Sequence, residues 1–233
     1  MRTWLITGAS RGLGRALALH LSARGDRVLA VAREPAGLHA LADRCGPGRI
    51  DAVPLDLADA GAIRPTLDAA IAGAGGIDGA INNAGIGAYK SFLAHDEAEL
   101  LRILQVNLGA AMQVCRVVLP HLAARGGGHI VNIGSDLGRR PLANMAPYVA
   151  TKHGLLGFSH SLLREVKDQR IRVSLVNPGI IDTGFGGGQE GHGDGHHSLR
   201  PEELAAQVVA VLDAPAGMVI DEITLHPLGQ SDF

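Results

Sequence analysis

Short apolar runs alternate along this chain with longer stretches whose apolar residues recur at helical spacing. Trp4-Leu5-Ile6 is the first such run and reads as a buried strand. The stretch from Arg15 to Ala23 follows a helical period, with Leu13, Ala16, Leu17, His20 and Leu21 on one face. Arg27–Ala32 reads as a second strand, Pro35–Arg44 as a helix stopped by Gly46-Pro47-Gly48, and Ile50–Leu55 as a third strand. Asp59 opens a helix through Ala72 with Ile63, Leu67, Ala70 and Ile71 on one face; Gly73 to Gly76 end it, and Ile77–Ile81 is a fourth strand. Glu97–Leu119 is one long helical pattern whose apolar positions are Leu100, Leu101, Leu104, Leu108, Met112, Cys115 and Val118. Gly126 to Gly128 turn the chain into a fifth strand ending at Ile133, and a helix running to Leu163 packs Leu155, Phe158, Ser159 and Leu162 inward. Ile171–Val176 is a sixth strand, Pro201–Leu212 a helix capped by Ser198 with Pro201 in its first turn, and Met218–Leu225 a last strand. This alternation predicts an α/β fold: a doubly wound parallel sheet of about seven strands, helices on both faces and right-handed crossovers.

Composition narrows the picture. At 233 residues the chain fits a single domain over 1–233 with a sizeable core, and 46% hydrophobic against 19% charged residues is globular rather than disordered. A net charge of −2 gives no electrostatic reason to expect nucleic acid. No apolar run reads as long enough to cross a membrane, and the direct entry of Met1-Arg2-Thr3 into a strand predicts no signal peptide. Cys45 and Cys115 are too few and too far apart for a disulfide framework, so a reducing cytoplasm is expected. Lysine occurs only at positions 90, 152 and 167 in an arginine-dominated chain.

Candidate chemistry begins between the first strand and the first helix, at Thr7-Gly8-Ala9-Ser10-Arg11-Gly12-Leu13-Gly14. A helix N-terminus there offers free N–H groups and the positive end of its dipole to a dinucleotide pyrophosphate. Gly8 suits the tight turn, Gly12 the close approach and Gly14 the packing of helix on strand. Taken alone, such a loop can also be a turn that merely needs positive φ. The second strand ends at Ala32-Arg33 with no carboxylate before Glu34. Two arginines, Arg11 and Arg33, and a missing acid favour the 2′-phosphate of NADP over the free 2′-hydroxyl of NAD; the competing reading is two solvated surface charges.

Further motifs follow in order: Asn82-Asn83-Ala84-Gly85 after the fourth strand, Asn107 inside the long apolar stripe, Ser135 after the fifth strand, Tyr148-x-x-x-Lys152 thirteen residues on, and Asn177-Pro178-Gly179 followed by Ile181-Asp182-Thr183. Tyr148 and Lys152 share one helix face, which alone means little. With the glycine turn, this set over essentially the whole chain resembles the short-chain dehydrogenase/reductase family. The resemblance implies a Rossmann-type fold and an NADP(H)-dependent oxidoreductase acting on a carbonyl or secondary alcohol of small to medium size. It implies that Asn107, Ser135, Tyr148 and Lys152 form the catalytic set, with Tyr148 as general acid/base, Ser135 on the oxyanion, and the cations Lys152 and oxidised nicotinamide together lowering the phenol value. It further implies cofactor contacts from Gly8, Ser10, Arg11, Gly12, Leu13, Gly14, Arg33, Asp56, Leu57, Asn83, Ala84, Gly85, Tyr148, Lys152, Pro178, Gly179, Ile181 and Thr183. The family's habit of pairing long helices implies a homodimer or homotetramer through Glu97–Leu119 and Pro147–Lys167. Two other readings stay open: a different reaction on the same scaffold, such as dehydration, and a non-catalytic NADP-sensing regulator.

Two stretches depart from the family pattern. Residues 184–200 stand where a substrate lid is expected and are rich in glycine and histidine, which predicts mobility. His192, Asp194, His196 and His197 could be read as metal ligands, but glycine-separated ligands carry a high ordering cost, so no metal is expected. The end of the chain lacks the Asp-Gly-Gly of many family members. Substrate-pocket candidates are Ile86 to Tyr89, Asp136 to Asn144, Met145, Tyr148 and Phe185. Arg139 and Arg140 could recognise an anionic substrate; solvent or a subunit interface is the favoured reading.

Overall fold

A computed structural model describes residues 1–187 and 190–231. Among these residues seven strands form: β1 Thr3–Thr7, β2 Arg27–Ala32, β3 Ile50–Pro54, β4 Gly79–Asn82, β5 Gly128–Ile133, β6 Ile171–Pro178 and β7 Glu222–Leu225. All pair in parallel in the order β3-β2-β1-β4-β5-β6-β7. The helices are α1 Gly12–Ala23, α2 Pro35–Asp43, α3 Ala60–Ala74, α4 Glu97–Leu104, α5 Ala110–Ala124, α6 Ala146–Val166 and α7 Pro201–Leu212. The order reverses between β1 and β4, so the loops that follow these two strands diverge and leave a crevice at their carboxyl ends.

Strand side chains alternate between two core layers. Trp4, Ile6, Val28 and Ala30 face Leu17, Leu41 and Val208 of α1, α2 and α7. Leu5, Leu29 and Val31 face Leu67, Val114 and Leu162 of α3, α5 and α6. With both faces covered, the strands read as continuous apolar runs rather than as alternating ones. The Trp4 indole lies where a side chain on Gly79 would stand, and its Nε1 donates to the buried Asp26 at 3.1 Å. Asp59 caps α3 by accepting from Gly61 N and Ala62 N, and Gly75 ends it at φ 77°.

Three expectations need correction. The long helical pattern from Glu97 is not one regular helix: a π turn at Gln105–Gly109 separates α4 from α5. The extra residue in that turn rotates the buried face onto Ile103, Val106, Asn107 and Ala110, leaving Leu101, Leu104 and Met112 exposed. By length and apolarity the segment Glu97–Ala124 also meets the requirement for a membrane span, contrary to expectation; half of its most apolar window is buried in this fold. Ser198 does not cap α7. Arg200 holds that position without a side-chain bond, and the Ser198 hydroxyl is buried two residues upstream.

His129 on β5 is buried and bonded through Nε2 to Ser174 at 2.8 Å. Burial holds its pKa down at about 3 against an ordinary 6.5, with Arg172 adding to the effect. Between these values the unfolded chain binds a proton that the folded chain does not, so stability falls as pH falls through that window. Replacing His129 with Gln should flatten the dependence, by about 1.4 kcal/mol for each pH unit between 6 and 4. Urea unfolding at pH 6, 5 and 4 checks this.

Candidate active site

The ends of β1 and β4 are locked together before either turns. Thr7 Oγ1 accepts from Asn83 N at 3.0 Å and Ala84 N at 3.1 Å. Asn83 Nδ2 donates to Thr7 O at 3.0 Å and Gly8 O at 3.3 Å. Gly8 turns at φ +69°, where a side chain would be strained and would also meet Asn83 and Ala84. A side chain on Gly14 would collide with the Gly8 carbonyl and come within 2.6 Å of Asn83 Nδ2, so α1 can rest on β1 only with glycine there. At Gly12 a Cβ would stand 3.0 Å from Thr183 Cγ2. The first turn of α1 carries no acidic side chain, leaving its N–H groups facing open space as an anion cradle.

From this turn a cleft of about 980 Å³ runs across the carboxyl ends of the sheet. Of the residues assigned from sequence, all but Gly14 and Asn107 line it. Gly14 lies beneath the turn. Asn107 lies one layer behind, in the π turn, 2% exposed. Its Oδ1 accepts from Ile86 N and its Nδ2 donates to Ile86 O, each at 2.8 Å, with Thr151 Oγ1 at 3.2 Å. This paired clamp fixes the backbone of Ile86, which does line the cleft. At the far end Arg33 Nε donates to Glu34 at 3.0 Å in an exposed pair.

Tyr148 and Lys152 are one turn apart on α6. Lys152 is 4% exposed; its Nζ donates to Ile133 O at 2.7 Å and stands 5.5 Å from the Tyr148 ring centre. Burial lowers its pKa to about 8. Burial also raises the Tyr148 phenol to about 12, with a hydrogen bond from Ser135 pulling it down and the Asp136 charge pushing it up. Burial is thus the largest influence on this phenol. Ser135 Oγ accepts from Leu137 N at 3.2 Å and donates to Asp136 Oδ1 at 3.1 Å.

Ile86, Leu142, Met145, Ile180 and Phe185 supply apolar walls beside this group, with the Phe185 ring 5.4 Å from that of Tyr148. Tyr89, a pocket candidate from sequence, is 65% exposed and does not line the cleft. Both candidate anion-binding arginines have carboxylate partners: Arg139 grips Glu222, and Arg140 Nη2 donates to Asp136 at 2.8 Å. Gln230, which sequence reasoning missed, enters from the C-terminal segment; its Nε2 donates to Asp136 Oδ2 at 2.7 Å and its Oε1 accepts from Ile180 N at 3.1 Å. No local pattern marks it, because the contact spans 94 residues.

The proposed lid falls on 184–200, and residues 188 and 189 of it lie outside the described residues. The rest is tied at several points. Arg15 bonds Glu190 at 2.6 Å, Gly191 N donates to Asp182 Oδ1, and Gly229 N donates to His196 O. Asp194 accepts from the backbone N–H groups of His196 and His197 and pairs with the His197 ring at 2.6 Å.

A glycine turn feeding an anion cradle, a cleft at the sheet's switch point and a buried Tyr–Lys pair define a nucleotide-binding α/β oxidoreductase. The short chain dehydrogenase family model matches residues 2–190. The chain belongs to that family. The 3-oxoacyl-[acyl-carrier-protein] reductase FabG of Escherichia coli strain K12 is 36% identical over 179 residues, covering 77% of this chain and 73% of that protein. An alcohol dehydrogenase from the archaeon Thermococcus sibiricus, solved with 5-hydroxy-NADP, superposes at a TM-score of 0.91 with 27% identity, covering 100% of this chain and 99% of that one. A 3-ketoacyl-(acyl-carrier-protein) reductase from Brucella melitensis, solved with NADH, superposes at 0.89 with 27% identity and 98% coverage of each chain.

Gly14→Ala should cost about 1–3 kcal/mol through overpacking against the Gly8 carbonyl and should weaken nucleotide binding at least tenfold. Thermal unfolding and nucleotide titration of the variant check both effects.

Proposed function

We propose that this protein is an NADP(H)-dependent oxidoreductase that interconverts a carbonyl and a secondary alcohol on a neutral substrate of small to medium size. The observation that carries the reading is the convergence of Ser135, Tyr148 and Lys152 on the one cleft that starts at the glycine turn. The donor set suits a dinucleotide: an acid-free helix N-terminus for the pyrophosphate, reached by a turn that packs too closely on Asn83 and Ala84 for side chains at Gly8 and Gly14. When bound, the nicotinamide supplies or takes the hydride.

The chain's own residues handle the proton. Tyr148 gives its phenolic proton to the substrate oxygen in reduction and takes it back in oxidation. Ser135 turns its hydroxyl to the developing oxyanion. Lys152, partly protonated near neutrality, stabilises negative charge on the phenol oxygen and holds the nicotinamide ribose. Asn107 acts from behind by fixing Ile86 at the cleft wall. Asp56, Leu57, Ala84, Gly85, Pro178, Gly179, Ile181 and Thr183 contact the cofactor along its length.

The preference for NADP rests on Arg11 and Arg33 at the adenosine end. The Arg33–Glu34 pair is exposed and worth little, so Arg33 is available to a 2′-phosphate. Carboxylate partners on Arg139 and Arg140 argue against an anionic substrate. Exposed Leu101, Leu104 and Met112 support a homodimer or homotetramer built on α4 to α6. Free Cys45 and Cys115 suit a reducing cytoplasm.

Arg33→Ala should weaken NADPH binding about tenfold, in line with loss of a charge-assisted hydrogen bond, and leave NADH binding unchanged. Fluorescence titration with both nucleotides measures this, and equal losses for the two would remove the NADP assignment. Tyr148→Phe should lower turnover about 10²-fold or more on any carbonyl substrate found by NADPH oxidation, with nucleotide affinity and melting temperature kept. A variant that retains most of its turnover would sink the proton-transfer role.

A further inference from the structure

One carboxylate at the site has no part in the chemistry above. Asp136 directly follows Ser135, opens the short 3₁₀ turn Asp136–Gly138 and is 8% exposed. Its Oδ1 accepts a hydrogen bond from the Ser135 hydroxyl at 3.1 Å. Its Oδ2 accepts from Arg140 Nη2 at 2.8 Å and Gln230 Nε2 at 2.7 Å, with His226 Nε2 at 3.7 Å. The glutamine slot is shaped for this purpose, since any side chain on Gly179 would occupy the place of Gln230 Oε1. These donors fix the direction of the carboxylate.

A serine hydroxyl carries one proton. While Ser135 gives it to Asp136, that proton cannot stabilise a phenolate at Tyr148. Turned to the phenol, the same hydroxyl pulls Tyr148 down, so a proton held on Asp136 is withheld from that pull. The Asp136 charge acts in the same sense, because a second negative charge nearby is disfavoured. Lys152 on α6, Asp136 and Arg140 after β5, and His197 from the 190–200 segment line the same cleft as Tyr148, and His226 in the C-terminal segment stands 3.7 Å from Asp136. The Lys152 ammonium stands 5.5 Å from the ring centre and is directed at Ile133 O.

We propose that Asp136 is a positioning residue that directs the Ser135 proton away from Tyr148, keeps the phenol proton-bearing and poises the site for carbonyl reduction over alcohol oxidation. The inference rests on Tyr148 being the proton donor, and its test is independent of turnover.

The chain has two tyrosines, and the other, Tyr89, is exposed outside the cleft. In a Tyr89→Phe background, tyrosinate absorbance near 295 nm reports Tyr148 alone. Titrated without nucleotide or substrate, with circular dichroism confirming the fold at each pH, Asp136→Asn should lower the ionisation midpoint by about one pH unit. Arg140→Leu, which unmasks the same carboxylate, should shift it upward. Opposite signs from the two halves of one ion pair are not the signature of general loosening. An unchanged midpoint in Asp136→Asn, or shifts of the same sign in both variants, would overturn the proposal. Should Asp136→Asn fail to fold, Gln230→Leu strips a neutral donor from the carboxylate and should raise the midpoint; no change there would overturn it equally. A titration that contradicts this role leaves Tyr148 as proton donor intact, whereas full turnover by Tyr148→Phe removes the donor itself.

Discussion

The parting of β1 and β4 governs this molecule. Two parallel strands lie side by side, and their following loops leave in opposite directions. A gap at that point would expose strand-end amides to no partner, a cost that buried polar groups rarely bear. Thr7 and Asn83 prevent it by bonding across the gap with side-chain atoms where the ladder can no longer continue. Once that bridge is in place, the glycine turn has only one path, and α1 comes to rest close enough to forbid a methyl group at Gly14. The anion cradle is therefore a by-product of how the sheet solves its own hydrogen bonding at the switch point.

Behind the cleft the π turn in the Glu97–Ala124 segment serves a similar end. A regular helix would carry Asn107 round to another azimuth; the extra residue aims its amide at both backbone groups of Ile86. The clamp is buried and fully paired, so it rigidifies the wall instead of weakening the core. A helix irregularity, usually a small loss in stability, here supplies the alignment.

Most strands and helices were readable because both sheet faces are covered. Arg27–Ala32 and Pro201–Leu212 match observed bounds because an apolar run ends at a polar residue in one case and a proline marks the start in the other. Lys152 stands out in the sequence as one of three lysines in an arginine-dominated chain, and the fold buries it. The π turn was not legible, since Leu101, Leu104 and Met112 keep a helical period on the face that ends up exposed. Nor was Ser198, whose residue type suits a cap while the chain places the first turn two residues later. The raised phenol follows from burial, a property of the assembled fold that sequence spacing does not reveal. Gln230 was invisible for the plainest reason: only the closed fold brings the end of the chain to Asp136.

That last contact ties two distant positions into one unit of change. Gln230 reaches Asp136 through space that exists only because residue 179 has no side chain. A methyl at 179 would press on Gln230 Oε1 and on His226, so it asks the glutamine to swing off Asp136. The two sites are therefore expected to drift together. The terminal segment, where substitutions usually accumulate freely, inherits the slow tempo of the cleft it closes.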